Sequence, residues 1–284
     1  MPATDPLSMM RTIQRDGFVV QVDDRDSLGL SGEAEFEPEV RDALLRLARP
    51  GDTVVDIGAN IGWFTLHLAR RVGPAGVIHA FEPEPANLRL LEANVRANGL
   101  SWVVIHPVAL GEAPGEALLH TTAYNTGMHR LYDSVCCDGP AIPVAVQRLD
   151  DLLAPGQVAL VKIDVEGYEH AVLRGARVLL STPPQPRVVS EYCPASMLEA
   201  GQSPSAFLND MKAWGLAPRA LDGAPIDWAE LMADALRYEA YGRERFVAAC
   251  AGANNPEILA IVAGLAAELG CRRPVIENLL FAAP

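Results

Sequence analysis

The stretch VVDIGANIGW, Val54 to Trp63, decides the fold. Its first four residues are apolar apart from Asp56 and predict a short buried strand, and Gly58 and Gly62 predict a tight loop after it. Many nucleotide-binding sheets begin in this way, with the ligand over the glycine loop at the carboxyl end of the strand. The stretch therefore predicts a nucleotide-like ligand at one edge of a sheet.

On either side of this stretch, from Gly51 to Tyr192, short apolar runs alternate with segments of helical periodicity. This pattern is typical of an α/β fold, in which helices cover both faces of a mostly parallel sheet. A helix is predicted from Pro85 to Asn98, where a glycine follows. The predicted strands lie near residues 53–57, 77–81, 103–108, 158–163 and 188–192.

The two ends of the chain predict additions to this sheet. The stretch GFVVQVDDRDSLGL, Gly17 to Leu30, predicts a small hairpin, and an amphipathic helix is predicted from Pro38 to Ala48 as a lid or an edge. Residues 1–50 would then precede a main domain of residues 51–284. After the fifth strand we expect a helix, two more strands and, before the last strand, a helical insertion at about residues 227–270. That insertion either shapes the site or forms a contact between subunits.

The composition is that of a globular protein of 284 residues and argues against some partners. The chain has 23 Lys and Arg against 36 Asp and Glu, a net charge of −13, so neither nucleic acid nor an anionic membrane surface is expected to bind. The first residues lack the apolar core of a secretory signal, and the apolar run from Ile258 to Gly270 is too short to cross a bilayer. We expect a cytoplasmic protein. Its five cysteines have no CxxC pair or zinc spacing and are expected to be reduced.

The glycine spacing discriminates between ligands. The run Gly58-Ala-Asn-Ile-Gly62 lacks the G-x-G-x-x-G order of a dinucleotide site and the Gly-Lys-Ser/Thr ending of a P-loop. Asp56 before the loop would repel a pyrophosphate, whereas S-adenosylmethionine has no phosphate and carries a positive amino group and a positive sulfonium. Glu82, at the end of the next strand, can accept hydrogen bonds from both ribose hydroxyls. These residues favour S-adenosylmethionine over a nicotinamide dinucleotide.

Four longer stretches resemble one family. VVDIGANIGWFTLHLA, FEPEPANLRLLEANVRANGL, RLDDLL and LVKIDVEGYEHAVLRGA are similar to the FkbM family of methyltransferases, over about Phe36 to Tyr192 with a looser similarity in ENLLF. The resemblance implies a class I, Rossmann-like, S-adenosylmethionine-dependent methyltransferase whose seven-stranded sheet has an antiparallel last strand. It also implies O-methylation of hydroxyls on sugars or polyketide-like natural products, with methyl-ester formation on carboxylates as the alternative.

The resemblance assigns cofactor residues position by position. The matching residues are Asp56, Gly58, Asn60 and Gly62 in the cofactor loop, Glu82 as the ribose acid and Ala109 beside the adenine, with Glu37, Asn87 and Asp164 as further candidates. The stretch from Tyr124 to Tyr132 resembles the family's loop over the active site. Met128, His129 and Arg130 stand there in place of small and polar residues, so the resemblance does not define the acceptor contacts of this loop.

Acids at the strand ends are the candidates for the chemistry. Methyl transfer to an alcohol needs an aligned acceptor and a group that takes its proton. Asp164 and Glu166 end the fourth strand and Glu191 ends the fifth, so the sheet brings them to one edge. Asp164 and Glu191 are predicted to be catalytic, and Glu166 either contacts the substrate or caps the following helix. His129, on the loop above, is a third candidate base.

The same acids bear on metal binding and on the acceptor. Carboxylates at one edge can hold a polyol or a divalent metal, and without a DxD or carboxylate–histidine spacing the polyol is favoured. An acidic edge repels a carboxylate acceptor unless Arg130 compensates, so ether formation is favoured over ester formation. Tyr192 is a further candidate for substrate contact. We expect a small-molecule or glycan acceptor, with a cofactor-binding module without catalysis as the remaining alternative.

Overall fold

The computed structural model describes residues 10–123, 125–274 and 276–283. The strands are β1 (Arg11–Arg15), β2 (Phe18–Val22), β3 (Thr53–Ile57), β4 (Val77–Phe81), β5 (Val103–His106), β6 (Ala109–Leu110), β7 (Gly115–His120), β8 (Ala141–Gln147), β9 (Leu160–Ile163), β10 (Arg187–Tyr192), β11 (Ala217–Arg219) and β12 (Glu277–Ala282). The helices are α1 (Pro38–Leu47), α2 (Trp63–Val72), α3 (Pro85–Ala97), α4 (Leu149–Leu152), α5 (Glu169–Arg174), α6 (Arg177–Ser181), α7 (Pro194–Glu199), α8 (Pro204–Ala213), α9 (Trp228–Tyr241), α10 (Arg243–Cys250) and α11 (Asn255–Glu268). From β3 to β10 strands and helices alternate, as predicted for an α/β fold.

Seven strands form the central sheet, in the order β11-β12-β10-β9-β3-β4-β5. Neighbouring strands are parallel except at β12, which runs antiparallel to both β10 and β11. The expected mostly parallel sheet with an antiparallel last strand is therefore confirmed. The strand order reverses between β3 and β9, and ligands of open α/β sheets bind at the carboxyl ends of the strands beside such a switch point.

Hydrophobic clusters lie on both faces of this sheet. Val54 packs into one cluster, and Val55 and Ile57 pack into the other, as the alternation of side chains along a strand requires. On the second face the cluster continues into the helices after β9. On the first face it includes α2 and the N-terminal hairpin, so the residues before β3 belong to the same core.

The N-terminal hairpin begins earlier in the chain than predicted. β1 and β2 pair from Arg11 with Val22 to Arg15 with Phe18, and the turn between them is Asp16-Gly17, with φ of 50° and 75°. An Asp-Gly pair is a strong signal for a two-residue hairpin turn. The prediction of a hairpin over residues 17–30 was therefore wrong in position, and residues 23–36 form turns that lead to α1.

A small sheet, in the order β6-β8-β7, was not predicted. The sequence of β7, GEALLH, is rich in residues that favour a helix, and it becomes a strand through antiparallel pairing with β8. The third predicted strand is correspondingly short. It ends at His106, where the chain leaves the central sheet for the small one.

The helical insertion lies where it was expected, between β11 and β12, and consists of α9, α10 and α11. Apolar side chains of α10 and α11 pack with α7 in a further cluster that includes Phe246, Ile258 and Val262. Among the described residues, no helix is both long and apolar enough to span a membrane. The division of the chain at residue 50 stays a prediction.

Candidate functional site

A cavity of about 180 Å³, the first cavity, opens at the carboxyl ends of β3, β4 and β9. Its walls come from the glycine loop, the strand ends and residues 125–131, and Leu28 and Phe36 cover it from the segment before α1. The predicted site residues that line it are Glu37, Gly58, Asn60, Glu82, Asn87, Ala109, His129, Asp164 and Glu166. Folding therefore brings most of the candidates from distant parts of the chain to one place.

The two glycines of the loop after β3 have different roles. Gly58 has φ of 73°, and a Cβ atom there would lie 1.9 Å from the carbonyl oxygen of Asp164. Gly62 precedes α2 and is not among the residues that line the first cavity, so its predicted cofactor contact stays a prediction. A Cβ atom at Gly62 would lie 2.6 Å from Cδ1 of Leu91, so the close packing of α3 is what requires a glycine.

Glu82 follows β4 and is held in one orientation. Its Oε2 accepts a hydrogen bond from the backbone N–H of Asn60 at 2.8 Å, and its Oε1 accepts one from that of Glu84 at 2.8 Å. Each carboxylate oxygen keeps capacity for another donor. Glu82 is only 5% exposed, and this burial raises its pKa to about 7. The arrangement fits the predicted contact with two ribose hydroxyls.

Asp56 lies below the cavity and not in its wall. It is fully buried, its Oδ2 accepts a hydrogen bond from Thr65 Oγ1 at 2.6 Å, and its Oδ1 lies 3.6 Å from Lys162 Nζ. Lys162 also lies 3.6 Å from Asp164 Oδ2 and donates to the carbonyl oxygen of Gly58 at 3.1 Å. Asp56 is thus not among the residues that line the first cavity, and its predicted contact with the cofactor stays a prediction. Asp56 holds the ammonium group that supports the glycine loop.

Acidic side chains outnumber basic ones in the wall of the first cavity. Glu82, Asp164 and Glu166 face it together with Lys162, and Glu37 stands at its exposed rim as the first residue before α1. This excess of negative charge repels phosphate groups and attracts cations. The cavity therefore fits S-adenosylmethionine, which has a sulfonium and an ammonium group but no phosphate.

Three residues of the cavity have an unusual backbone. Glu37, Asn60 and Glu166 have φ of 41°, 51° and 57°, in the left-handed region that residues other than glycine rarely adopt. Asn60 is accommodated because its Oδ1 accepts the backbone N–H of Ile61 at 2.6 Å. Backbone strain of this kind clusters at functional sites, and here it coincides with the first cavity.

Glu169, which sequence reasoning missed, fixes the turn that carries Glu166. It is fully buried, and its Oε1 accepts the backbone N–H groups of Val165 at 3.0 Å and of Gly167 at 3.1 Å. Burial raises the pKa of Glu169 to about 7. The side chain of Glu169 thus holds the turn from below, and the side chain of Glu166 projects into the cavity.

The segment from Asn125 to Tyr132 closes the first cavity from above. The side-chain amides of Asn60 and Asn87 both donate to the carbonyl oxygen of Thr126, at 3.1 Å and 3.0 Å. These asparagines therefore line the cavity and also tie the covering segment to it. Tyr124, with which the predicted active-site loop begins, lies outside the described residues.

His129 lies in the wall, but its hydrogen bonding does not suit a general base. Its Nδ1 accepts the backbone N–H of Thr122 at 3.2 Å, so the proton of the neutral ring resides on Nε2. Burial lowers the pKa of His129, which favours this neutral form. With Nδ1 occupied and Nε2 protonated, the ring has no free lone pair, and the geometry argues against the predicted catalytic role.

Arg130 is paired with acids and is not free to bind a carboxylate. Its guanidinium group is buried, with 4% of the residue exposed, and lies 2.9 Å from Glu199 Oε2 and 3.0 Å from Glu166 Oε2. Tyr132 donates its hydroxyl hydrogen to the carbonyl oxygen of Glu166 at 2.8 Å. Arg130 and Tyr132 therefore position Glu166, and the predicted role of Arg130 as a free substrate ligand is not supported. Glu199, on the buried side of α7, was missed.

A second cavity, of about 240 Å³, lies beside the first and shares Asn125, Met128 and Glu166 with it. Glu191 lines the second cavity only, and Asp164 lines the first only. Burial, together with the nearby charges of Glu166 and Asp164, raises the pKa of Glu191 well above its ordinary value. The predicted pair of catalytic acids is therefore divided between the two cavities, and Glu166 is the acid that joins them.

Tyr192 points to the opposite face of β10 from Glu191. It is 2% exposed and packs in the core beside Phe207, with their ring centroids 5.6 Å apart. Because successive side chains of a strand face opposite sides, Tyr192 is not among the residues that line the two cavities, and its predicted substrate contact stays a prediction. Over the described part of the chain, no group of three or more His, Cys, Asp or Glu side chains is placed to hold a metal ion.

The sheet topology and the acid-lined cavity at its switch point define the class: a class I methyltransferase fold with a site that fits S-adenosylmethionine. Residues 56–215, more than half of the chain, match the family described as methyltransferase FkbM domain. The chain belongs to the FkbM methyltransferase family.

Curated relatives are similar to the chain over less than half of its length. Methyltransferase 1 of Beauveria bassiana is 34% identical over 148 residues, which cover 44% of this chain and 59% of that protein. The 31-O-demethyl-FK506 methyltransferase FkbM of Streptomyces tacrolimicus is 34% identical over 157 residues, with coverage of 45% and 60%. Methyltransferase sdnD of Sordaria araneosa is 32% identical over 154 residues, with coverage of 43% and 59%. The chain thus spans about three fifths of the length of each of these relatives.

Proposed function

We propose that the chain transfers the methyl group of S-adenosylmethionine to a hydroxyl oxygen of a small organic molecule. The observation that carries this proposal is the junction of the two cavities, where Glu166 lies in both walls. When bound in the first cavity, S-adenosylmethionine supplies an electrophilic methyl group on a sulfonium. An acceptor bound in the second cavity reaches the first cavity at the point beside Glu166.

The wall of the first cavity provides a partner for each polar part of the cofactor. Glu82 suits the ribose hydroxyls, because both of its carboxylate oxygens are oriented and have free lone pairs. Glu37 and Asp164 suit the ammonium group of the methionine part, and Lys162 suits its carboxylate. Ala109 lies in the wall of the same cavity, where a flat apolar base can pack.

Glu166 is the group to which we assign proton acceptance. Burial raises the pKa of Glu166, against the opposing effect of Arg130. A carboxylate with a raised pKa takes a hydroxyl proton more readily than an ordinary one. Burial and neighbouring acids raise the pKa of Glu191 well above its ordinary value, which favours the protonated form that can donate a hydrogen bond to the acceptor. Two neighbouring carboxyl groups thus serve as base and as donor.

The charges of the second cavity support a hydroxyl acceptor over a carboxylate. A carboxylate there would meet the negative charge of Glu166, while the charge of Arg130 is already balanced by Glu166 and Glu199. The relative from Streptomyces tacrolimicus is named for methylation of an oxygen atom, in 31-O-demethyl-FK506. Both points favour ether formation.

The proposal is tested with methyl-labelled S-adenosylmethionine and a panel of neutral alcohols. We expect label in an alkali-stable product, and we expect Glu166→Gln to lower turnover by about a hundredfold or more without changing the affinity for S-adenosylhomocysteine. Glu191→Gln is the matched control, because an amide still donates a hydrogen bond, and it should retain turnover within about tenfold. Full turnover by Glu166→Gln, or label only in an alkali-labile ester, would contradict the proposal.

A further inference from the structure

The second cavity has an apolar roof that the helical insertion provides. The roof consists of Phe246 from α10, of Ile258, Leu259 and Val262 from α11, and of Ile276 before β12. Ile258 and Val262 are one helical turn apart and so face the same side. All five residues lie beyond residue 215, where the match to the family ends. The roof is therefore a feature of this chain outside the part that resembles its relatives.

The remaining lining of the second cavity includes the ionisable side chains of Arg130, Glu166, Glu191 and Glu199. Arg130 forms ion pairs with Glu166 and Glu199. Burial, with the nearby charges of Glu166 and Asp164, raises the pKa of Glu191. Glu166 lies where the second cavity adjoins the first, whereas the five apolar residues of the roof come from elements that do not line the first cavity.

This division leads to an inference that rests on the function proposed above. We propose that the second cavity holds the methyl acceptor and that the acceptor is a largely apolar alcohol, with its carbon skeleton against the roof and its hydroxyl beside Glu166 and Glu191. A sugar carries hydroxyls on nearly every carbon, and those facing the roof would lose their hydrogen bonds to water without gaining others. The roof therefore selects against glycans as acceptors. The sequence alone did not discriminate between glycans and other natural products.

The entrance to the second cavity is also apolar. Ile276 is 41% exposed and also lines the cavity, so it lies at the rim. An exposed large apolar side chain at a cavity mouth favours entry of an apolar molecule. The insertion, which the sequence assigned either to the site or to a subunit contact, is thus assigned to the acceptor site.

The test uses the full chain and a neutral apolar probe, N-phenyl-1-naphthylamine, whose fluorescence rises on leaving water. We expect the probe to bind, and menthol to displace it at a concentration at least about tenfold below that needed with methyl glucoside. Leu259→Glu places a charge in the roof and should lower the affinity for the probe about tenfold or more. Ala260→Glu is the matched control, because Ala260 is the next residue of α11 and is exposed, and it should leave the affinity within about twofold.

A second variant guards against loss of folding. Ile276→Glu changes a partly exposed rim residue and should also weaken the probe, with an unchanged urea unfolding midpoint. The parent chain and each variant are also titrated with S-adenosylhomocysteine in a calorimeter, which separates the test of the apolar acceptor from the test of the proposed function. If S-adenosylhomocysteine binds but both roof variants keep the affinity for the probe, or methyl glucoside competes as well as menthol, the apolar acceptor is overturned and the proposed function stands. If no form binds S-adenosylhomocysteine, both proposals fail.

Discussion

Glu82 is oriented by two backbone N–H groups and has a pKa of about 7 because it is buried. Ribose hydroxyls donate hydrogen bonds to the ionised carboxylate, so they favour that form and lower its pKa. Binding of S-adenosylhomocysteine should therefore release a proton near neutral pH and weaken as the pH falls below about 7. Calorimetry in two buffers of different ionisation enthalpy, from about pH 6 to about pH 8, measures both effects.

The variant Glu82→Gln tests the assignment. It should weaken binding of S-adenosylhomocysteine by about 1–3 kcal/mol, because one acceptor oxygen becomes a donor, and it should reduce the pH dependence. Glu92→Gln, at an exposed position of α3, is the control and should behave as the parent chain does. A Glu82→Gln variant with unchanged affinity and an unchanged pH slope would rule out the ribose contact.

At the scale of the element, the connection from β3 to α2 passes so close to the end of β9 that a methyl group does not fit. Gly58→Ala would place Cβ 1.9 Å from the carbonyl oxygen of Asp164, at a φ of 73°. We expect the free energy of unfolding to fall by about 3 kcal/mol or more and binding of S-adenosylhomocysteine to be lost. Urea denaturation and calorimetry measure the two quantities.

Gly51→Ala is the matched control for this connection. Gly51 also has positive φ, 85°, but a Cβ atom there would meet nothing within 4 Å. Gly51→Ala should lower the free energy of unfolding by about 1 kcal/mol, because only the backbone conformation is strained. It should not change the binding of S-adenosylhomocysteine. Equal losses for the two variants would mean that backbone conformation, and not the approach of β9, is what requires Gly58.

At the scale of the whole molecule, the N-terminal hairpin is part of the central core. Phe18 is fully buried in the same cluster as Val54 and Leu66, and Arg70 of α2 donates to the carbonyl oxygens of Asp16 at 2.7 Å and Gly17 at 2.9 Å. The residues that follow the hairpin cover the first cavity. The hairpin and the sheet should therefore unfold together.

Phe18→Ala tests this coupling. It should lower the free energy of unfolding of the entire chain by about 3–5 kcal/mol, in one transition, because it leaves a cavity between the hairpin and α2. Circular dichroism and tryptophan fluorescence in urea should give coincident curves. Gln14→Ala, at an exposed position of β1, is the control and should change the free energy of unfolding by no more than about 0.5 kcal/mol. Two separate transitions would show instead that the hairpin is an independent unit.

The sequence by itself determined the features that depend on neighbours along the chain. β3, its glycine loop and α3 follow from apolar spacing and glycine positions, which act locally, and the strand ends place Gly58, Glu82 and Asp164 at one edge of any parallel sheet. The charge of these residues also indicated the cofactor. The Asp-Gly turn of the hairpin was a local signal too, although the prediction did not use it.

Tertiary structure decided which side chains face the cavities. Asp56 and Tyr192 lie near strand ends, as the residues that line the cavities do, but Asp56 lies under the glycine loop and Tyr192 lies in the core. β7 became a strand only through its partner. The second cavity is lined by residues from the ranges 125–136, 166, 191–199 and 246–276. Contacts between such distant segments depend on how the segments pack, and the periodicity of the sequence does not contain that information.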